Sequence, residues 1–172
     1  LWKQEARKPT VLRPREDDPD FFRTWNAFAE TSGARRTLVA IGFGTAAFSM
    51  QDILLEPYGG EVLHFTVGET TALTGMLAAG TLTGFAVAAH QLGRGMDTYR
   101  LAALGALVGL IAFPAVMLSG PIESALLFRA GTVLIGFGTG LFSVGSLTAA
   151  MEFASKDTNG IALGAWGAVQ AT

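Results

Sequence analysis

The run from Leu38 to Tyr58, LVAIGFGTAAFSMQDILLEPY, constrains this chain more than any other stretch. It is apolar as far as Met50, then continues through Gln51, Asp52 and Glu56 to Pro57. A helix needs about twenty residues to cross the hydrocarbon core of a bilayer, and this run supplies them. Carboxylates inside such a span are costly because hydrocarbon does not solvate charge. Asp52 and Glu56 therefore point to a use.

The rest of the composition agrees. Half of the 172 residues are hydrophobic and only 15% are charged, where a soluble domain carries about a quarter. The charges are also segregated, with eight of the twelve Lys and Arg in residues 1–36. Such a segment suits anionic lipid headgroups. Acidic residues are interspersed with the basic ones, so it makes no nucleic-acid patch. The chain contains no Cys, which excludes disulfides, thiolate metal sites and a Cys nucleophile. It begins at Leu1, and its last apolar run, Asn159 to Thr172, is too short to span. A piece of a larger polytopic protein is the expectation.

Residues 1–36 read as a cytoplasmic linker punctuated by Pro9, Pro14 and Pro19. Within it Phe21, Phe22, Trp25 and Phe28 fall on one side of a helix that Asp20 would cap, an amphipathic element for the headgroup region or for a partner. Four complete spans are expected at about 38–58, 70–92, 101–119 and 124–150, followed by a truncated fifth over 159–172. The fold class is thus all-α, a polytopic membrane helix bundle. Pro114 is expected to kink the third span near its end. The basic N-terminal segment, the Arg94/Arg100 loop and the Lys156 loop alternate with two loops that lack Lys and Arg. The three basic segments therefore belong on the cytoplasmic side. Small residues recur four apart at Gly80/Gly84, Gly105/Gly109 and Gly160/Gly164/Ala168, as close helix packing in lipid requires. The run Gly136-Phe137-Gly138-Thr139-Gly140 has the look of a phosphate-binding turn, but no strand precedes it and a nucleotide site is excluded.

Candidate functional residues are few. Asp52 and Glu56 share one helix face, and two ionised carboxylates so placed repel unless a proton or a cation intervenes. Arg129 is the candidate cation. At 1.5 Å per residue, Asp52 and Arg129 both lie roughly 8–9 Å below the outer boundary of their spans. A pair between the first and fourth spans is therefore expected, as a structural lock or as a proton- or substrate-coupled site. His90 ends the second span and is a versatile ligand by chemistry; His64, in an outer loop, is a weaker candidate. Gln170 should face protein, and Trp166 offers either packing or a flat face for a large planar molecule. No hydrolytic triad, metal-binding His/Glu helix or dinucleotide fingerprint is present. No enzyme and no metal site are expected.

Three motifs carry a family resemblance: MQDILLEPYGGEVL (Met50 to Leu63), LGRGMDTYRLAALGALVG (Leu92 to Gly109) and NGIALGAWGAVQAT (Asn159 to Thr172). Together they resemble the PucC/LhaA family, the bacteriochlorophyll-delivery branch of the major facilitator superfamily, from about Thr37 to the end of the chain. The resemblance implies twelve spans in two halves of six. This chain would then hold the central cytoplasmic loop, spans seven to ten and the start of eleven. It implies that the helices bearing Asp52/Glu56 and Arg129 look onto a central cavity. Gly93, Asp97 and Arg100 sit where facilitators carry a glycine–aspartate–arginine loop, in a different order that argues against ordinary facilitator gating. The implied function is light-harvesting antenna assembly in the bacterial inner (intracytoplasmic photosynthetic) membrane. Bacteriochlorophyll would be the cargo or cofactor, and antenna polypeptides or the photosynthetic core complex the partners. His90, Trp166 and Gln170 would be the candidate pigment contacts. A proton-coupled secondary transporter using Asp52, Glu56 and Arg129 is the alternative, and a purely structural subunit a third.

Overall fold

The computed structural model describes residues 33–152 and 159–171, with Asn26 alone from the N-terminal segment. The aromatic helix around Trp25 and the loop at Lys156 lie outside the described residues, as do the side chains of Asp52, Asn159 and Ile161. Five helices run through the described part: α1 (Ala34–Glu61), α2 (Val67–Gly93), α3 (Thr98–Ser119), α4 (Ala125–Glu152) and α5 (Asn159–Gln170). Among the described residues there is no strand. The first four helices are long and apolar enough to cross a membrane. Their outward faces carry Phe43, Ile53, Leu110, Ile111 and Leu126, each at least 68% exposed.

Local chemistry sets the boundaries. α1 starts at Ala34 after Gly33, whose φ of 103° is open only to glycine at little cost. It runs on through Pro57 to Glu61, past the expected end at Tyr58. α2 starts at Val67, three residues before the expected Thr70, because Thr66 and Glu69 form a capping box. The Thr66 hydroxyl accepts from the Glu69 amide at 3.4 Å, and a Glu69 carboxylate oxygen accepts from the Thr66 amide at 3.0 Å. α3 starts at Thr98 because the Asp97 carboxylate accepts from the Arg100 amide at 3.0 Å. Pro114 is carried inside α3, which continues to Ser119.

α4 is the centre of the bundle. Its most apolar stretch is 56% buried, against 22–29% for the other three long helices. Burial on that scale needs two seams, and glycine provides them. Residues seven apart return to nearly the same face of a helix, and residues two apart lie nearly opposite each other. Gly131, Gly138 and Gly145 accordingly line the α3 side, while Gly136 and Gly140 line the α2 side. A methyl group on Gly140 would stand 2.5 Å from the Thr81 carbonyl oxygen and 3.0 Å from the Gly84 Cα. One on Gly138 would stand 2.9 Å from the Gly105 carbonyl oxygen. The partner helices reciprocate, since a methyl on Gly84 or Gly105 would stand 2.5 Å from backbone atoms of α4. The expected packing role of Gly80/Gly84 and Gly105/Gly109 is therefore realised. Gly160 and Gly164 of α5 meet nothing within 4 Å among the described residues, so that stripe faces away from the other four helices.

α1 joins the bundle through rings instead. Phe48 packs against Phe113 of α3 and Phe142 of α4, with ring centroids 6.1 and 5.6 Å apart. At the end bearing residues 62–66, Tyr58 stacks on Phe128 at 5.8 Å and donates its hydroxyl to the Met117 carbonyl at 2.9 Å. α5 lies against α1 and α4, where the Trp166 indole donates to the Ser146 hydroxyl at 3.2 Å.

Replacing Gly140 or Gly138 by Ala puts a methyl into backbone with no room to yield. Each substitution should cost about 1–3 kcal/mol, the usual range for overpacking. The open Gly164→Ala should leave stability unchanged. Thermal unfolding of the full-length protein in detergent reads the difference.

Candidate functional site: a neutral crevice among three helices

Where α1, α4 and α5 meet they leave a crevice of about 190 Å³. Thr45, Ser49 and Gln51 of α1 face Thr139 and Ser143 of α4 and Gln170 of α5, with the Phe48 and Phe142 rings as walls. The spacing explains the face: 45/49 and 139/143 are each four apart, hence on one side of their helices. Every described lining side chain is neutral.

Two of these groups are unusual. Thr45 is 5% exposed and Gln51 6%, yet the Thr45 hydroxyl oxygen and the Gln51 carboxamide oxygen have no hydrogen-bond partner among the described residues. Buried polar atoms are nearly always paired, so an unpaired one calls for an explanation. The hydroxyl of Thr139, in the same crevice, is satisfied by the Ile135 carbonyl at 2.9 Å. The crevice can thus bind through hydrogen bonds and ring contact. Among its described lining residues no side chain titrates.

The charged candidates lie elsewhere. Arg129 donates to Glu69 of α2 at 2.9 Å, and its guanidinium covers the Phe65 ring at 5.4 Å from the centroid. The described carboxylate on Arg129 is therefore one that sequence reasoning left in a loop. Glu56 is exposed and accepts from the Thr74 hydroxyl at 3.1 Å, so it and Arg129 are engaged separately. The expected pair of Arg129 with Asp52 involves a side chain outside the described set. Glu69 has two duties: one oxygen caps α2 through Thr66, and the other holds α4 through Arg129. A carboxylate in the first turn also faces the positive end of the helix dipole.

His90 is exposed at the end of α2, away from the crevice, and has no side-chain partner among the described residues. Trp166 is half-buried, its indole nitrogen committed to Ser146. Of the three candidate pigment contacts, only Gln170 lines the crevice. Sequence reasoning passed over Thr45, Thr139 and Ser143, although polar residues four apart within an apolar run are a readable signal. It also passed over the Thr66-x-x-Glu69 pattern, a capping-box signature.

Long apolar helices packed through glycine seams around a neutral recess define a polytopic helical membrane protein. Its sequence places it further, for the family model described as PUCC protein matches residues 1–172. The chain belongs to the PucC family. It is 49% identical over 172 residues to Protein PucC of Cereibacter sphaeroides, covering all of this chain and 38% of that protein. It is 45% identical over 176 residues to Protein PucC of Rhodobacter capsulatus, again covering all of this chain and 38% of that protein. To the bacteriochlorophyll synthase 44.5 kDa chain of Rhodobacter capsulatus it is 33% identical over 134 residues, 73% of this chain and 30% of that one. The chain thus spans 38% of the PucC proteins it matches. No solved structure matches it.

Removing the Glu69 side chain should loosen the end of the bundle that holds it. The substitution takes away both a helix cap and a half-exposed ion pair. Glu69→Ala should therefore lower the midpoint of thermal unfolding. Arg129→Gln, which breaks the ion pair alone, should lower it less.

Proposed function

We propose that the full-length protein is an antenna-assembly factor that handles bacteriochlorophyll for light-harvesting polypeptides in the intracytoplasmic photosynthetic membrane. The observation that carries this reading is family membership, reinforced by a 33%-identical relative whose name includes bacteriochlorophyll synthase. The crevice fits a binding function. It offers neutral hydrogen-bonding groups and rings, which suit a large, mainly apolar, uncharged cargo. On this reading the protein handles its cargo without chemical change.

The proton-coupled transporter is the second reading. Coupling needs a titratable group that meets the cargo. Of the three residues assigned to that role, Arg129 is tied to Glu69 and Glu56 to Thr74, both outside the crevice. That distribution favours the assembly reading. In either case the whole protein is expected to have the facilitator-like arrangement of two six-helix halves, with the N-terminal segment and residues 94–97 on the cytoplasmic side.

Two measurements test the proposal. Full-length protein purified in mild detergent from phototrophic cells should carry bacteriochlorophyll in its absorption spectrum and bring antenna polypeptides with it. A colourless protein without those polypeptides would sink the reading. For orientation, single cysteines at Gly95 and Pro121 in a cysteine-free background should label from opposite faces of the membrane, Gly95 from the cytoplasm. Labelling from the same face would overturn the topology.

A further inference from the structure

We infer that the crevice between α1, α4 and α5 is a hydrogen-bonding site for the polar edge of an uncharged, mainly apolar molecule. Gln51 and Thr45 are its specificity-determining residues. The inference rests on the pigment reading for the identity of the molecule, and on the crevice alone for the site.

The first support is a contrast within the chain. Seven other helical threonines, at positions 70, 71, 81, 83, 132, 139 and 148, turn their hydroxyls back onto a carbonyl one turn earlier. That is the default in an apolar helix, because a hydroxyl without a partner in low dielectric is costly. Thr45, at 5% exposure, does not follow the default, and its oxygen is unpaired among the described residues. Gln51, six residues further along α1, leaves its carboxamide oxygen unpaired in the same crevice. Two unpaired, nine-tenths-buried polar groups aimed into one cavity are the mark of a site that is completed from outside.

The second support is chemical. The described lining carries no charge, and an ion placed there would lose its hydration with no counter-charge in return. The ligand is therefore neutral. A hydroxyl is both donor and acceptor, and a carboxamide carries one of each. The Thr45 hydroxyl can donate to a ligand carbonyl. The unpaired Gln51 oxygen accepts only from a hydroxyl or N–H, and Gln51 meets a carbonyl only when its carboxamide turns to offer the NH2 instead. The Phe48 and Phe142 rings flank both with apolar contact. Size sets the last limit. A volume of 190 Å³ is room for about six waters at ~30 Å³ each, and drug-sized ligands need roughly 300 Å³ or more. The crevice admits one edge of a tetrapyrrole-sized molecule and leaves the body of it outside.

The test uses the full-length protein in detergent, with purified bacteriochlorophyll as the probe and absorbance as the readout. Wild type should bind. Gln51→Leu and Thr45→Val should each weaken binding about ten-fold, the effect of one lost hydrogen bond, and Thr45→Ser should restore it. Without pigment, Gln51→Leu should melt at the wild-type temperature or above it, because it removes an unpaired buried group. If the wild type binds and both variants bind equally well, this site is wrong and the pigment reading stands. If the wild type does not bind, both fail. A lower melting temperature for pigment-free Gln51→Leu would show that Gln51 is already paired within the protein, and would overturn the site.

Discussion

The close approach of α4 to α2 and α3 is the constraint on which the rest of the structure depends. In lipid there is no hydrophobic force between helices, so association relies on dispersion and on backbones that can nearly touch. Dispersion falls steeply with separation, and a gap of even 1 Å forfeits much of it. Gly136 and Gly140 open one side of α4, and Gly138 with its neighbours seven residues away opens the other. Because residues two apart on a helix lie nearly opposite, one short glycine-rich run serves two partners. What looks at first like a phosphate-binding turn is a helix stripped of side chains on two faces.

The crevice follows from the exception to that rule. α1 and α4 meet through Phe48 and Phe142, and the Phe142 ring occupies the space where a side chain at Gly44 would stand. Ring contacts hold helices further apart than glycine contacts do. The room that remains beside the rings is where Thr45, Ser49, Thr139 and Ser143 project. Gly42 of α1, with Val169 of α5 at 3.4 Å from the position of its missing Cβ, brings the third helix in. The same aromatic set thus sets the spacing of α1 and walls the recess.

The architecture was largely legible in the chain. Leu38 to Tyr58 alone required a spanning helix, and the apolar runs marked four helices long enough to cross a membrane. The glycine pairs at 80/84 and 105/109 marked seams that the structure closes. What could not be read was which seams would be used. Gly160 and Gly164 have the same spacing and face away from the other four helices, because spacing says that a helix can be approached and not what approaches it. The Glu69–Arg129 contact was missed for a related reason. Depth from the boundary was compared only for Arg129 and Asp52, because Glu69 was counted as loop. Its capping box with Thr66 extends α2 by a turn and carries that carboxylate within 2.9 Å of Arg129. The crevice was hardest to see, since a threonine in an apolar helix usually bonds its own backbone and Thr45 carries no local mark that it does not.

Among the described residues the Glu69–Arg129 and Thr98–Glu152 contacts sit at helix ends and the recess is lined by neutral side chains, and electrostatics gives that division a physical reason. At the 62–66 end, Glu69 and Arg129 are half-exposed, so neither bears the full cost of desolvation, and both act by tying α2 to α4. At the opposite end, the Thr98 hydroxyl donates to Glu152 at 2.7 Å. A carboxylate at the C-terminus of α4 faces an unfavourable dipole, and it is offset there by the positive end of α3. These two contacts therefore close helix ends. Midway, where charge would be most costly, the described crevice holds only hydroxyls, carboxamides and rings. A recess of that kind discriminates by hydrogen bonding and shape. It rejects ions without any repulsive residue, because it offers them nothing in exchange for their water.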